Sequence, residues 1–301
     1  MYAADLRGGF DLLRMLRCTQ AAWSPAAYWH VGDLAWQRRF HAGPSDEWPT
    51  RLWMEDDGDR PVAWAWVARP DRLQLCVEDP RDAALLGELV DWAIAVVGES
   101  APLTTSVMES QHELLEALQA RGFVRTEAPG LHQLACRPDD VASSPAPPGF
   151  AVRGLGEHDD ETVARADVHV ASWDSTTMTP DVYRRLQRTW PYRHDLDVVA
   201  EVLDDATGAP GARPRFAASC LAWLDDVNLV GELEPVGTHP GFRRRGLAAA
   251  VCAEAVRRLG RAGARTAFVC GAADPDRPGP LALYRSIGFE GVGREFDVRR
   301  N

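Results

Sequence analysis

A stretch without apolar period divides this sequence and fixes what lies on either side. Residues 137–149, RPDDVASSPAPPG, are rich in Pro, Ser and Ala. Such a run interrupts helices and strands rather than extending them. On both sides the hydrophobic pattern repeats in the same order from a central hairpin onward. In the first half, 51–54 and 62–67 read as strands around the turn DDGD, and 73–77 as a third strand. Residues 82–97 form an expected helix, with Leu85, Leu86, Leu89, Trp92, Ala93 and Val96 at helical spacing. A strand at 103–107, a helix at 111–121 stopped by Gly122, and strands at 123–126 and 132–136 follow. In the second half, 150–153 reads as a strand, 160–170 and 180–189 as helices, and 197–202, 215–224 and 228–238 as consecutive strands. Then come a helix at 247–259 ended by Gly260 and Gly263, a strand at 265–270, a short helix at 281–286 and a final strand at 289–298. A period of half the chain implies an internal duplication, and 301 residues accommodate two domains of ~150. The expected fold is α/β, with mixed sheets flanked by helices in two tandem domains, 1–137 and 150–301, joined by a linker over 138–149.

Charge and cysteine usage exclude several classes. There are 33 Lys and Arg against 44 Asp and Glu, a net charge of −11. Nucleic-acid and anionic-membrane surfaces depend on clustered cations, so neither partner is expected; a cationic or neutral one fits better. No run approaches the ~18 apolar residues of a membrane span, and the start, MYAADLRGGF, lacks a basic segment leading into an apolar one. The six cysteines form no CxxC pair and no zinc-like cluster with histidine. Reduced thiols, a cytoplasmic setting and no metal are expected. Eight of the eleven tryptophans precede the linker, so the two cores differ in kind.

The chemistry concentrates in 232–250, ELEPVGTHPGFRRRGLAAA. An expected strand ends at Val236, Gly237 and Thr238, Pro240 and Gly241 break it, and Arg243, Arg244, Arg245 and Gly246 lead into a long apolar helix beginning Leu247, Ala248, Ala249. Backbone N–H groups at a helix N-terminus, with its positive dipole end, hold a pyrophosphate. Gly246 permits close approach, Ala248 is too small to obstruct, and the arginines add positive charge. Downstream, LYRSIGF at 283–289 sets Tyr284 on a short helix ended by Gly288. A phenol of ordinary pKa near 10 can protonate a departing thiolate of similar basicity.

These two stretches together resemble the GNAT superfamily of acyl-CoA-dependent N-acyltransferases. The family's phosphate loop reads Gln or Arg, two residues, Gly, one residue, then Gly or Ala, which Arg243, Gly246 and Ala248 match. The resemblance implies a mixed sheet splayed between its fourth and fifth strands, with acetyl-CoA in the gap as co-substrate. It implies a bulged strand whose backbone at Val236, Gly237 and Thr238 pairs with the pantetheine arm and polarises the thioester carbonyl. It also implies a pyrophosphate loop over 244–249 and Tyr284 as the group that protonates the thiolate. Where many members carry Asn, seven residues before the tyrosine, this chain has Arg277, a candidate for the nucleotide phosphates. The first half resembles a decayed copy, and the pairing resembles tandem GNAT proteins such as mycothiol synthase. LCVEDP at 75–80 parallels the strand end but no glycine loop follows, and in LEALQARGF at 115–123 Leu118 takes the tyrosine position.

An attacking amine must be unprotonated, so a base is needed. Glu232 lies where many GNAT enzymes place theirs, with Glu234 second. A spacing of two puts both on one face together with Val236 and Thr238. Trp173, Asp174, Trp190 and Tyr192 are candidate walls for a cationic amine, and His194 and His239 are further bases. The leading expectation is N-acetyl transfer to a primary amine of a small molecule or peptide by direct attack, in a monomer with pseudo-dimeric halves or a homodimer. A CoA-binding sensor or scaffold without turnover is the alternative; an ATP-binding protein is disfavoured because no GxxxxGK[ST] loop is present.

Overall fold

The structure is a computed structural model that describes residues 1–39, 45–56, 58, 60–203, 213–272 and 279–301. The first half contains β1 (Tyr2–Asp5), α1 (Gly9–Ala21), α2 (Val31–Gln37), β2 (Thr50–Met54), β3 (Pro61–Ala68), β4 (Arg72–Val77), α3 (Ala83–Val97), β5 (Leu103–Met108), α4 (His112–Gln119), β6 (Val124–Arg125) and β7 (Leu131–Cys136). The second contains β8 (Phe150–Gly154), α5 (Asp159–Trp173), α6 (Pro180–Gln187), β9 (Asp197–Val202), β10 (Phe216–Asp225), β11 (Val230–Thr238), α7 (Leu247–Arg261), β12 (Thr266–Ala272), α8 (Gly279–Ser286) and β13 (Glu290–Arg300). The expected elements are present, and the fold is α/β with a mixed sheet. Ahead of Thr50 the chain also forms β1, α1 and α2, which the hydrophobic pattern did not reveal. β1 and α2 are short, at 4 and 7 residues, and Trp23, Pro25 and Trp29 break the pattern between the 13-residue α1 and α2.

The thirteen strands of the described residues belong to one sheet, ordered β1-β2-β3-β4-β5-β13-β7-β12-β11-β10-β9-β8, with β6 beside β13. The halves exchange their last strands. β7, from the first half, pairs antiparallel with β12 from Ala267↔Cys136 to Ala272↔Leu131. β13, from the second, pairs with β7 near its start and then with β5 from Glu295↔Met108 to Arg300↔Leu103. Arg72 of β4 clamps Asp297 of β13 with two hydrogen bonds of 3.0 and 3.1 Å, and Ser106 of β5 donates to the same carboxylate at 2.7 Å.

Three apolar cores follow from this arrangement. Helix α3 covers the first half's sheet with Leu85, Leu86, Leu89, Val90 and Ala93. Helix α7 covers the second half's with Leu247, Val251, Cys252, Ala255, Val256 and Leu259. The third core lies between the halves and absorbs much of the tryptophan. There Trp29, Trp36, Trp64 and Trp66 pack with Tyr183, Leu221 and Trp223. Trp64 and Trp66 stack at 4.9 Å, and the Trp64 indole N–H donates to Thr19 at 2.8 Å, so this large side chain is buried without an unpaired donor. Among the described residues no helix is long and apolar enough to cross a membrane, and no group of three or more His, Cys, Asp or Glu side chains is placed to hold a metal ion.

Candidate active site

The sheet opens in the second half. Strands β11 and β12 run parallel but pair only at Val230↔Thr266, Gly231↔Ala267 and Glu232↔Phe268. Beyond Glu232 the two strands continue without pairing, leaving a wedge. On its other edge β11 stays paired with β10, through a bulge: Leu233 faces Ala222, and the next pair is Val236↔Cys220. Glu234 and Pro235 occupy the extra positions, and the Trp223 indole N–H donates to the Glu234 carbonyl at 2.7 Å.

That bulge corrects one expectation. Directly paired residues of an antiparallel ladder share a face. Val236 and Thr238, opposite Cys220 and Ala218, therefore lie on the face of Leu233, toward α7. Glu232, opposite Trp223, lies on the other face, toward the first half. Counting by twos fails here because an extra residue reverses the alternation.

The turn after β11 is built to expose amides. The His239 ring accepts the Gly241 N–H at 3.0 Å and caps the short turn Pro240–Phe242. The Arg243 guanidinium is tied back to two carbonyls, Thr238 at 3.3 Å and Ser172 at 3.2 Å. Arg244 has φ 64 and Gly246 φ 82, so left-handed residues alternate through the turn and bring successive N–H groups toward one side. Among the described residues no side chain caps α7, so its first amides are left for solvent or a ligand. A Cβ on Gly246 would meet only Pro147, at 4.0 Å; backbone conformation rather than crowding selects glycine there. Gly237 is the opposite case, because a Cβ would lie 2.8 Å from the Ser172 Cβ. Its absence lets the end of α5 pack against β11.

A cleft of about 1250 Å³ runs from the wedge over this turn. Val236, Gly237, Thr238, Arg243, Arg244, Gly246, Leu247, Ala248 and Ala249 line it, opposite Leu283 and Tyr284 of α8 and Trp173 and Asp174 at the end of α5. Tyr284 is only 6% exposed, and burial, with nearby thiols and Glu234 adding, pushes its phenol well above its usual pKa, so it keeps its proton. Arg245 does not line the cleft; its guanidinium lies over the Phe242 ring at 5.5 Å. Arg277 lies outside the described residues. Trp173 and Asp174, expected as walls for the acceptor, line this cleft. Trp190 stacks under Arg17, and the Tyr192 hydroxyl donates to Asp197 at 3.0 Å, so both are used in packing.

Glu232 and Glu234 lie on the other side of the wedge, where the first half comes against it. Burial and the neighbouring Glu232 charge push Glu234 up to about 7. Asp33 of α2 is pushed up by burial, then by Glu232 and Glu234. Glu295 of β13 is raised to about 7 by burial and Asp297. His30, just before α2, places its Nδ1 3.2 Å from Oε2 of Glu232. Trp23 meets Phe268, the β12 residue paired with Glu232, edge to face at 5.8 Å. None of His30, Asp33, Trp23 or Glu295 was legible as a site residue, since nothing local in the sequence ties them to Glu232.

Residues 169–289 match the model of the acetyltransferase (GNAT) family. The likeness to that family covers this stretch of the second half. The matched region runs from the end of α5 through the wedge, the amide turn and Tyr284. Solved structures of the GNAT fold extend the likeness over both halves. A GCN5-related N-acetyltransferase from Sphaerobacter thermophilus is 19% identical, with TM-score 0.60, over 99% of this chain and 95% of its own. A tandem GNAT protein from the clavulanic acid biosynthesis pathway is 18% identical, with TM-score 0.62, over 99% and 97%. A GNAT-family acetyltransferase from Colwellia psychrerythraea is 11% identical, with TM-score 0.62, over the whole of both chains. At such identities the likeness is one of fold. No protein of curated function matches the sequence.

Proposed function

We propose that this protein is an acetyl-CoA-dependent N-acetyltransferase that acylates a primary amine of a small molecule or peptide by direct attack. The observation that carries the reading is the wedge beyond Glu232↔Phe268, opening into a cleft with uncapped α7 amides at one end and Tyr284 on its wall. Acetyl-CoA supplies an activated thioester there. The residues fit such a ligand: left-handed Arg244 and Gly246 turn amides toward a pyrophosphate, and the unpaired inner edge of β11 at Val236, Gly237 and Thr238 offers backbone groups to the pantetheine amides.

The protein's own groups then divide the proton work. Glu232 takes a proton from the acceptor nitrogen as the N–C bond forms and the C–S bond breaks. Tyr284, held protonated by burial, gives its proton to the sulfur. The acceptor approaches from the first half, across a face carrying Glu232, Glu234, Asp33 and Glu295. Burial and mutual repulsion raise Glu234, Asp33 and Glu295, and a cationic amine entering there would offset that repulsion where it must lose its proton. With both halves in one chain, a monomer is sufficient.

Thiol release from acetyl-CoA, measured with a panel of small amines and peptides, tests the reading. Amine-dependent release that disappears in Tyr284→Phe supports it. Tight CoA binding with no transfer to any amine would replace it with a CoA sensor.

A further inference from the structure

One large apolar side chain stands in the cleft instead of being packed away. Trp173 is 55% exposed, and of the eleven tryptophans it is the one that is exposed. It is the last residue of α5. Asp174 ends that helix in the left-handed region, φ 51 and ψ 41, and its N–H donates to the Val170 carbonyl, as does that of Ser175 at 3.2 Å. The Arg243 bond to the Ser172 carbonyl, at 3.2 Å, ties the same helix end to the amide turn.

Behind the indole, rings continue into the core between the halves. The His169 ring stacks on Trp173 with centroids 6.4 Å apart and planes 27° from parallel, and Trp36 of α2 meets His169 edge to face at 5.2 Å. Both supports are buried. Burial, then Arg165 and Arg39, push the His169 pKa down to about 3, so its ring is a neutral backing. In front, the indole meets β11: a Cβ on Gly237 would lie 3.1 Å from the Trp173 Nε1. Gly237, opposite Ser219 and following Val236, turns this side toward α5 and the face of Glu232. Trp173, Gly237 and Tyr284 line one cleft.

We propose that Trp173 sets the length of the transferred acyl group, its indole closing the space over Gly237 to chains longer than acetyl. This rests on the reading of the wedge as the acetyl-CoA site, with the thioester along Val236, Gly237 and Thr238 and the sulfur at Tyr284. Three boundaries then confine the acyl carbons. Deeper in the wedge the strands close at Glu232↔Phe268, where an apolar chain would strip water from the Glu232 and Glu234 carboxyls. On the α7 face Leu247 and Val251 are packed into their own core. Over Gly237 stands the indole. A ring backed by two others cannot turn aside as a lone flexible side chain could, and forcing further methylenes against it strains the packing. Discrimination among acyl groups therefore arises by exclusion. The first half takes part in it through Trp36, although it carries neither the amide turn nor the tyrosine.

Trp173 acts on the acyl donor, so the test requires no acceptor. The full chain, Trp173→Ala and Trp173→Phe are titrated calorimetrically with CoA, acetyl-CoA and butyryl-CoA. The ratio of the two acyl-CoA affinities is the readout, because contacts to the shared pantetheine arm and nucleotide cancel in it. Wild-type protein is expected to bind butyryl-CoA about tenfold more weakly than acetyl-CoA, or worse. Trp173→Ala should bring the two within about twofold, since the space over Gly237 is then open. Trp173→Phe, with a smaller ring, should fall between. Equal binding of both acyl forms by wild-type protein would overturn the role of Trp173 while leaving acyl transfer intact. So would a ratio unchanged in Trp173→Ala; an equal fall for all three ligands would then assign the indole to the pantetheine arm. No heat with any of the three ligands would overturn the reading of the wedge on which the role rests.

Discussion

Helices α3 and α7 occupy the same place in their two halves, each following the third strand of its hairpin set, yet they begin in opposite ways. The Asp82 side chain accepts the Leu85 N–H at 2.9 Å, so α3 carries an anion of its own at its positive end. Helix α7 starts at a left-handed glycine, with no side-chain cap on its amides among the described residues. The partner helices differ in the same sense: α4 presents Leu118, fully buried, where α8 presents Tyr284 at the cleft. The splay alone does not distinguish the halves, because β4 and β5 pair only at Arg72↔Thr104. A common architecture thus serves as a site in one half and as a packed support in the other, according to whether the helix start is filled by a carboxylate or left open.

Separating the halves is expected to have the largest effect. Expressed alone, 150–301 lacks β7 beside β12 and leaves β13 without β5. It should show no cooperative melt, and co-expression with 1–137 should restore one. Next, Gly246→Asp writes the first half's device into the second. CoA affinity should fall about a hundredfold or more, on the order of 3 kcal/mol, by calorimetry. Gly246→Asn, equal in size and also tolerant of left-handed backbone, should lose about tenfold or less. Equal losses would mean that shape rather than charge matters at this position. Tyr284→Phe should lower kcat by about a hundredfold to a thousandfold with CoA affinity within about twofold; a parallel loss of binding would assign the hydroxyl to the ligand instead.

Two smaller effects separate the halves by stability. Glu234 and Glu295, raised from 4.5 to about 7 by burial, favour the folded state when protonated. Their contribution is fully present below pH 4.5 and is lost as pH rises through 7. The melting temperature should decline over that window, and Glu234→Gln with Glu295→Gln should flatten the decline. The smallest change is expected from Asp82→Ala, which removes the α3 cap. It should cost about 1 kcal/mol in chemical denaturation and leave CoA binding unaltered.

Most of the second half was legible because its elements are long and periodic. The turn from Thr238 into α7 and the placement of Tyr284 followed from local chemistry, since glycine, proline and a helix start constrain only their neighbours. The faces of β11 differ from the even count because one bulge at Glu234 and Pro235 reverses the alternation; Pro235, which cannot donate to a strand ladder, is the residue that marks it. That Trp173 and Asp174 line the same cleft as the amide turn was not legible, because the packing of α5 against β11 depends on the absent side chain of Gly237.

What the sequence determined by itself is the set of local structures: two runs of strands and helices in matching order, an open helix start in one, and a phenol at the right distance downstream from it. What only the tertiary structure decided is their assembly. The exchange of β7 and β13, the meeting of His30 and Asp33 with Glu232, and the crowding of carboxylates at the junction join residues far apart in the chain. Such contacts arise from packing two halves into one sheet, and packing depends on the sum of many weak apolar contacts rather than on any motif.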